Sequence, residues 1–126
     1  MNSQAAEFEY YQGVVLKVLS RHIGRAKAIN MAALHQEVFG EQPRSTISGT
    51  RRLRRVVERL RRQGVPICAS AGMVGGGYFL PAAGQEMEDY CRRLRLSALK
   101  KLRQEAGLRK LALPDLLGQI ALNLEA

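Results

Sequence analysis

Residues 50–64 of the chain read TRRLRRVVERLRRQG, a segment with seven arginines, one glutamate and no lysine. Its apolar residues recur three or four positions apart, which is the spacing of an amphipathic helix. At about 100° per residue, the apolar side chains and Gly49 gather on one side of the helix. The other side collects Ser48, Arg51, Arg52, Arg55, Arg59 and Arg62. The segment therefore predicts a helix from about Ser48 to Gln63, ended by Gly64 and carrying a cationic outer face.

The positive charge of the chain is concentrated in this helix. The 126 residues carry a net charge of +9, and residues 44–63 hold eight arginines against Glu58, a net of +7. Helix faces that are merely solvated usually mix both signs of charge. Clustered cationic charge, by contrast, raises the affinity for phosphate-rich partners. The pattern therefore favours contact with nucleic acid over a solvated charged face.

The segments on either side of the basic helix predict further short elements. Residues 8–23 and 31–39 each carry an apolar helical stripe, and Asn30 is a natural N-cap for the second helix. After the basic helix, VPICAS at residues 65–70 and GYFLP at residues 77–81 predict two short strands. The intervening AGMVGG is typical of a hairpin tip, because glycine tolerates positive φ.

Two more helices are predicted toward the end of the chain. One runs from about Gln85 to Ala106, and a short one is opened by Pro114. The fold class is therefore predicted as mostly α with a small β-hairpin (α+β). The order helix, helix, basic helix and hairpin predicts a winged helix-turn-helix domain over residues 8–82. Residues 83–126 are predicted to form a C-terminal helical extension.

In a winged helix-turn-helix domain, the third helix lies in the major groove of DNA. Arginine suits that position because its fork donates two parallel hydrogen bonds to phosphate oxygens or to guanine O6 and N7. Base readout normally comes from the N-terminal part of the helix, which holds Ser48, Arg51, Arg52 and Arg55. Arg59 and Arg62 lie further along and are predicted to contact phosphates.

The residues just before the basic helix belong to the same candidate surface. Ser45 and Thr46 are candidates to cap the helix, or to bind a phosphate through backbone N–H groups at its N-terminus. Arg44 adds a further positive charge there. The predicted DNA-binding residues are therefore Arg44, Ser45, Thr46, Ser48, Arg51, Arg52, Arg55, Arg59 and Arg62.

The stretch RRLRRVVERLRRQGVPI, followed by GGGYFLP, resembles the biotin-repressor-like class of winged-helix domains. More narrowly, it resembles small phage- and prophage-type DNA-binding proteins of bacteria. The shared features are the arginine-rich helix, a Leu-Arg-x-x-Gly-x-Pro-Ile exit from Leu60 to Ile67, and a Gly-Tyr return at Gly77 and Tyr78. The resemblance covers residues 10–82 and implies DNA binding and regulation, by repression or activation. The hairpin tip, however, has no lysine or arginine to enter the minor groove.

Other features of the sequence point away from catalysis and from membranes. No carboxylate pair, Ser/His/Asp or Cys/His pattern or cofactor loop occurs, so we expect no enzyme activity, no cofactor and no metal. No apolar run approaches the roughly 18 residues that a membrane span requires. The N-terminus resembles neither a signal nor a transit peptide, so a cytoplasmic location is expected. Cys68 and Cys91 are predicted to be buried structural thiols.

Three interpretations of the basic helix remain open at this stage. The chain is a sequence-specific binder of double-stranded DNA, an architectural DNA binder with little sequence specificity, or an interaction module that docks an acidic protein. RNA binding is a minor variant, because few aromatic residues are available for stacking. The C-terminal helices either cover the winged domain or form a homodimer. Dimerisation is the favoured interpretation, since a C₂ pair doubles the contacts on a pseudo-palindromic site.

Overall fold

The structure is a computed structural model that describes residues 3–45, 48–71 and 77–125. These residues form a mostly helical fold with a small antiparallel sheet, which confirms the α+β fold class. The helices are α1 (Ser3–Leu19), α2 (Met31–Phe39), α3 (Arg51–Arg62), α4 (Gly84–Arg109) and α5 (Leu113–Glu125). The strands are β1 (Ile29–Asn30), β2 (Cys68–Ser70) and β3 (Gly77–Phe79). The chain divides into two compact units, Met1–Glu88 and Asp89–Ala126.

A hydrophobic core in the first unit joins α1, α2, α3 and β1. Its buried members are Val15, Val18, Leu19, Ile29, Leu34, Val38, Leu53, Val56, Val57, Leu60 and Ile67. The four members from α3 are the apolar residues that the helical wheel places on one side. Burial of each such side chain contributes about 1.5–3 kcal/mol. The core therefore determines which side of α3 faces solvent.

The exit from α3 is a glycine cap of the Schellman type. The Gly64 N–H donates to the carbonyl of Arg61 at 3.0 Å, and the Val65 N–H donates to the carbonyl of Leu60 at 3.0 Å. Gly64 adopts a φ of 92°, a left-handed conformation that glycine accepts without steric strain. The Leu-Arg-x-x-Gly-x-Pro-Ile stretch thus ends the helix and directs the chain into the sheet, with Ile67 in the core.

The sheet contains one strand more than the sequence predicted. Its order is β1-β3-β2, with both pairings antiparallel. Tyr78 of the central strand lies between Ile29 of β1 and Ala69 of β2. Strand β1 is only two residues long, so it carries no alternating pattern that could be recognised in the sequence. Residues 72–76, which make up most of the predicted hairpin tip, lie outside the described residues.

Helix α1 ends earlier than predicted, because the residues after it pair with the end of β3. The prediction extended this helix over residues 8–23, whereas α1 ends at Leu19. The Leu80 N–H donates to the carbonyl of His22 at 3.0 Å, and the Gly24 N–H donates to the carbonyl of Leu80 at 2.7 Å. These bonds require an extended backbone at residues 22–24, so helix cannot continue there.

The second unit buries few of its apolar side chains. Ala106 and Leu116 are its buried residues among those described. Its large exposed side chains are Leu94, Leu96, Leu108, Leu117, Leu122 and Leu124. Cys91 is also exposed, so the prediction of a buried thiol there is wrong, whereas Cys68 is buried as predicted. A helical stripe predicts which residues share a side, but not whether another element covers them.

Among the helices of the described ranges, none is both long enough and apolar enough to cross a membrane.

Candidate nucleic-acid interface

The buried side of α3 determines where its charged residues lie. Leu53, Val56, Val57 and Leu60 face the core, and the residues opposite them on the helix are exposed. We call these opposite residues the outward stripe: Arg51, Arg55, Glu58 and Arg62. Between the outward stripe and the core lie two flanks, one beside α1 and one beside the sheet. The α1 flank carries Arg52 and Arg59, and the sheet flank carries Arg54 and Arg61. The contacts of these arginines differ from those of the outward stripe.

Arg52 lies on the α1 flank, stacked on aromatic rings. Its guanidinium carbon is 3.9 Å from the ring centroid of Phe39 and 5.1 Å from that of Tyr11. Its Nη1 atom is 3.8 Å from Oε1 of Glu7 on the same flank. A guanidinium within about 6 Å of a ring face is attracted by the ring quadrupole. Arg52 is therefore turned toward α1 and α2, away from the outward direction that the helical wheel assigned to it.

We expect Arg52→Ala to lower the free energy of unfolding by about 0.5–1 kcal/mol, because it removes the ring contacts of a half-exposed guanidinium. Arg51→Ala deletes the same charge from the outward stripe and is the matched control. It should change the free energy of unfolding by less than about 0.5 kcal/mol. Urea unfolding followed by circular dichroism measures the two midpoints. Equal midpoints for both variants would contradict the stacking role of Arg52.

Arg59 lies on the same flank, about two turns further along α3. Its guanidinium carbon is 5.0 Å from the ring centroid of Phe8. A groove of about 290 Å³ runs along this flank between α1 and α3. It is lined by Gln4, Glu7, Phe8, Tyr11, Arg52, Arg55 and Val56. The α1 flank thus holds two arginines at fixed positions beside the outward stripe.

A side chain on the sheet flank connects α3 to the strands that follow it. Nε of Arg61 donates to the carbonyl of Ile67 at 2.9 Å, and the guanidinium carbon is 5.7 Å from the ring centroid of Tyr78. Nε of Arg54 is 3.4 Å from Oγ1 of Thr50, the residue just before α3. Arg61 therefore links the helix to the chain entering β2, and the hairpin comes to lie beside α3.

Ser45, Ser48 and Gly49 lie close together before α3. The Gly49 N–H donates to Oγ of Ser45 at 3.0 Å, and that Oγ is 2.7 Å from Oγ of Ser48. A Cβ at Gly49 would lie 2.6 Å from the Ser45 backbone, so this close approach requires glycine. The predicted helix start at Ser48 is wrong, since α3 begins at Arg51, and Thr50 at its N-cap makes no side-chain capping bond. Ser45 therefore accepts the Gly49 N–H and does not cap the helix.

Within the outward stripe, one ion pair partly neutralises one arginine. Nη2 of Arg62 donates to Oε1 of Glu58 at 2.7 Å, and the two side chains are 77% and 62% exposed. Neither Arg51 nor Arg55 forms an ion pair with any residue that the structure describes. Exposed cations that form no ion pair are available to an external polyanion. The strongest unbalanced charge on α3 therefore lies in its N-terminal half.

The predicted site residues thus fall into separate groups. Three arginines belong to the outward stripe, and two belong to the α1 flank. Arg44, Ser45 and Ser48 are exposed in the connector before α3, and Thr46 lies outside the described residues. Glu58 was not predicted as a site residue, although its position on the helical wheel places it on the outward stripe.

The titratable side chains that could bind metal are dispersed. Within residues 3–45, 48–71 and 77–125, no three His, Cys, Asp or Glu side chains are grouped to hold a metal ion. Nδ1 of His35 donates to the carbonyl of Glu41 at 2.7 Å, and Nδ1 of His22 donates to the carbonyl of Lys27 at 2.8 Å. Both histidines therefore make bonds within the fold.

Comparison with known proteins yields no relative for this chain. No protein-family model matches it, and neither a curated protein nor a solved structure is significantly similar to it.

Proposed function

We propose that this chain binds double-stranded DNA as a transcriptional regulator of the phage or prophage type. In this proposal, residues 8–82 act as a winged helix-turn-helix domain that inserts α3 into the major groove. The observation that carries the proposal is the outward stripe, which exposes Arg51, Arg55 and Arg62 opposite the buried side of the helix. The major groove of B-DNA is about 12 Å wide and admits one α-helix.

The arrangement of the sheet supports this proposal. Strands β2 and β3 form an antiparallel pair that follows α3, and Arg61 joins the helix to the chain entering β2. This pair would act as the wing. Strand β1 lies between α1 and α2 and pairs with β3, so the strands and all three helices share one small unit. Such a unit holds the basic helix rigidly against its own core.

The arginines are assigned different roles according to their contacts. Arg51 and Arg55, in the N-terminal half of α3 and free of described ion pairs, are proposed to read base edges. Arg52 and Arg59, held on the α1 flank, are proposed to meet phosphates beside the groove. Ring contacts restrict the motion of both guanidinium groups, so less conformational entropy is lost on binding. The assignment of Arg52 therefore moves from base reading to phosphate contact.

Titration with three partners distinguishes this function from its alternatives. The partners are a duplex selected from a random pool, a random duplex of equal length, and an acidic polypeptide. We expect the selected duplex to bind with a Kd of about 10⁻⁸–10⁻¹¹ M at physiological salt. The random duplex should bind at about 10⁻⁴–10⁻⁶ M. Equal affinities for both duplexes would support the architectural alternative. Binding of the acidic polypeptide alone would support the interaction module.

We further propose that a second copy of the chain packs against the second unit. Leu117 and Leu124 lie two turns apart on one side of α5 and are 39% and 83% exposed. Residues 89–109 of α4 carry seven basic and two acidic side chains, whereas α5 carries Asp115 and Glu125 and no basic residue. The α4 of one copy therefore complements the charge of the α5 of the other, and their leucines can be buried together.

A pair of substitutions on α5 tests this homodimer. Combining Leu117→Asp with Leu124→Asp should turn a dimer into a monomer in sedimentation equilibrium, because two charges would enter an apolar contact. The control combines Gln119→Glu with Asn123→Asp, which adds the same charge to the same helix and keeps the leucines. The control should remain a dimer. The homodimer would be refuted if the unmodified chain is a monomer, or if the two double variants have equal masses.

A further inference from the structure

Glu58 is an exception on the most basic surface of the chain. It is the only acidic residue among residues 44–63 and belongs to the outward stripe. Arg55 lies one turn before it and Arg62 one turn after it on the same side of α3. A carboxylate at this position would face the DNA together with the arginines. It would be repelled by phosphates, so it weakens any binding that depends on charge alone.

The ion pair of Glu58 does not account for its presence. Its bond with Arg62 is an exposed pair at the spacing i to i+4, a kind of pair that adds little to protein stability. The pair uses Oε1 of the carboxylate, and no described residue donates a hydrogen bond to Oε2. Arg62 thus contacts one oxygen of the carboxylate, and the other oxygen remains open to an external donor.

We propose that Glu58 is a specificity-determining residue that accepts a hydrogen bond from the N4 amino group of a cytosine. This inference rests on the proposed binding of α3 in the major groove. The cytosine amino group is a donor presented in that groove, and glutamate is a suitable acceptor for it. Guanine at the same place would present O6 and N7, both acceptors, to a carboxylate. Glu58 therefore favours cytosine and also rejects guanine, while the arginines supply most of the affinity.

Selection of duplexes from a random pool by the full chain and by two variants tests this role. Glu58→Gln removes the charge and keeps the shape of the side chain. Glu105→Gln is the matched control, because Glu105 forms an ion pair of the same spacing and length, 2.7 Å, with Arg109 on α4. Thermal unfolding of both variants serves as a check on folding. The unmodified chain should select a C·G pair at one position and bind a mutated pair about 5- to 150-fold more weakly.

The expected result for Glu58→Gln is the loss of that cytosine preference, with a shift toward adenine, which glutamine recognises through N6 and N7. Its affinity for a random duplex should rise, since a negative charge has been removed. Glu105→Gln should keep the preference of the unmodified chain. An unchanged preference in Glu58→Gln, or the same change in Glu105→Gln, would overturn the role of Glu58. Equal binding of every duplex by the unmodified chain would also overturn the role of Glu58, but it would leave DNA binding intact. If the chain binds no duplex, both the role of Glu58 and the proposed DNA binding are refuted.

Discussion

Replacing Arg55 by alanine should weaken binding to the selected duplex by about 5- to 150-fold, the loss expected for one bidentate contact with guanine. Arg55 lies on the outward stripe, in the N-terminal half of α3, and forms no ion pair with a described residue. Its guanidinium is therefore free to approach a base edge. The loss should be confined to duplexes that keep the original base pair at one position. A duplex mutated at that position should bind Arg55→Ala and the unmodified chain with similar affinity.

Arg59→Ala is the control for this prediction. Arg59 lies on the α1 flank over Phe8, so we expect it to contact a phosphate. Its removal should weaken all duplexes equally and reduce the slope of log K against log[salt] by about one. Arg62 is less suitable as a control, because its removal also leaves the Glu58 carboxylate unpaired. Equal losses on every duplex for Arg55→Ala would contradict base reading by Arg55.

The second large effect concerns the stability of the fold. Phe79→Ala should lower the free energy of unfolding by about 3–5 kcal/mol, because it removes a large buried side chain and leaves a cavity. Phe79 is 1% exposed and lies in β3, the central strand of the sheet. A typical domain is stable by about 5–15 kcal/mol, so this loss is a large part of the total. Urea unfolding followed by circular dichroism measures it.

Tyr10→Ala is the aromatic control for Phe79→Ala. Tyr10 belongs to α1 in the same unit and is 66% exposed, so its truncation leaves no cavity. We expect a change in the free energy of unfolding below about 0.5 kcal/mol, as for most surface substitutions. A loss for Phe79→Ala no greater than that for Tyr10→Ala would show that β3 does not anchor the core.

Local signals in the sequence predicted much of the basic helix and its neighbours. The apolar period of α3 identified its buried side, because that side must pack against the core. Asn30 was predicted as the N-cap of α2, and its side chain accepts the Ala33 N–H at 2.7 Å. Gly64 was predicted to end α3, and its positive φ confirms this. Each of these features depends on residues within one or two turns of each other.

Features that depend on distant residues were missed. Strand β1 exists because Ile29 and Asn30 pair with residues almost fifty positions later, and two residues carry no pattern of their own. The end of α1 is likewise determined by the pairing of His22 and Gly24 with Leu80. This pairing cannot be recognised from the residues near Leu19, so the helix was predicted to continue past Leu19.

The grouping of the arginines on α3 also required the tertiary structure. A helical wheel gives the angle of each side chain but does not show which neighbour stands beside it. Arg52 was assigned to the outer face, and the rings of Phe39 and Tyr11 draw it toward the α1 flank. Those rings come from two other helices, so their position depends on how the helices pack. The position of Glu58 on the outward stripe, by contrast, follows from the helical wheel alone.

Chemical modification of guanine is the most direct test of whether α3 enters the major groove. Dimethyl sulfate methylates guanine at N7, an atom that lies in the major groove and that a bidentate arginine would cover. We expect the unmodified chain to protect at least one guanine N7 of the selected duplex, and Arg55→Ala at saturating concentration to leave that N7 exposed. Full reactivity of every guanine N7 in a duplex saturated with the unmodified chain would contradict the insertion of α3 into the major groove.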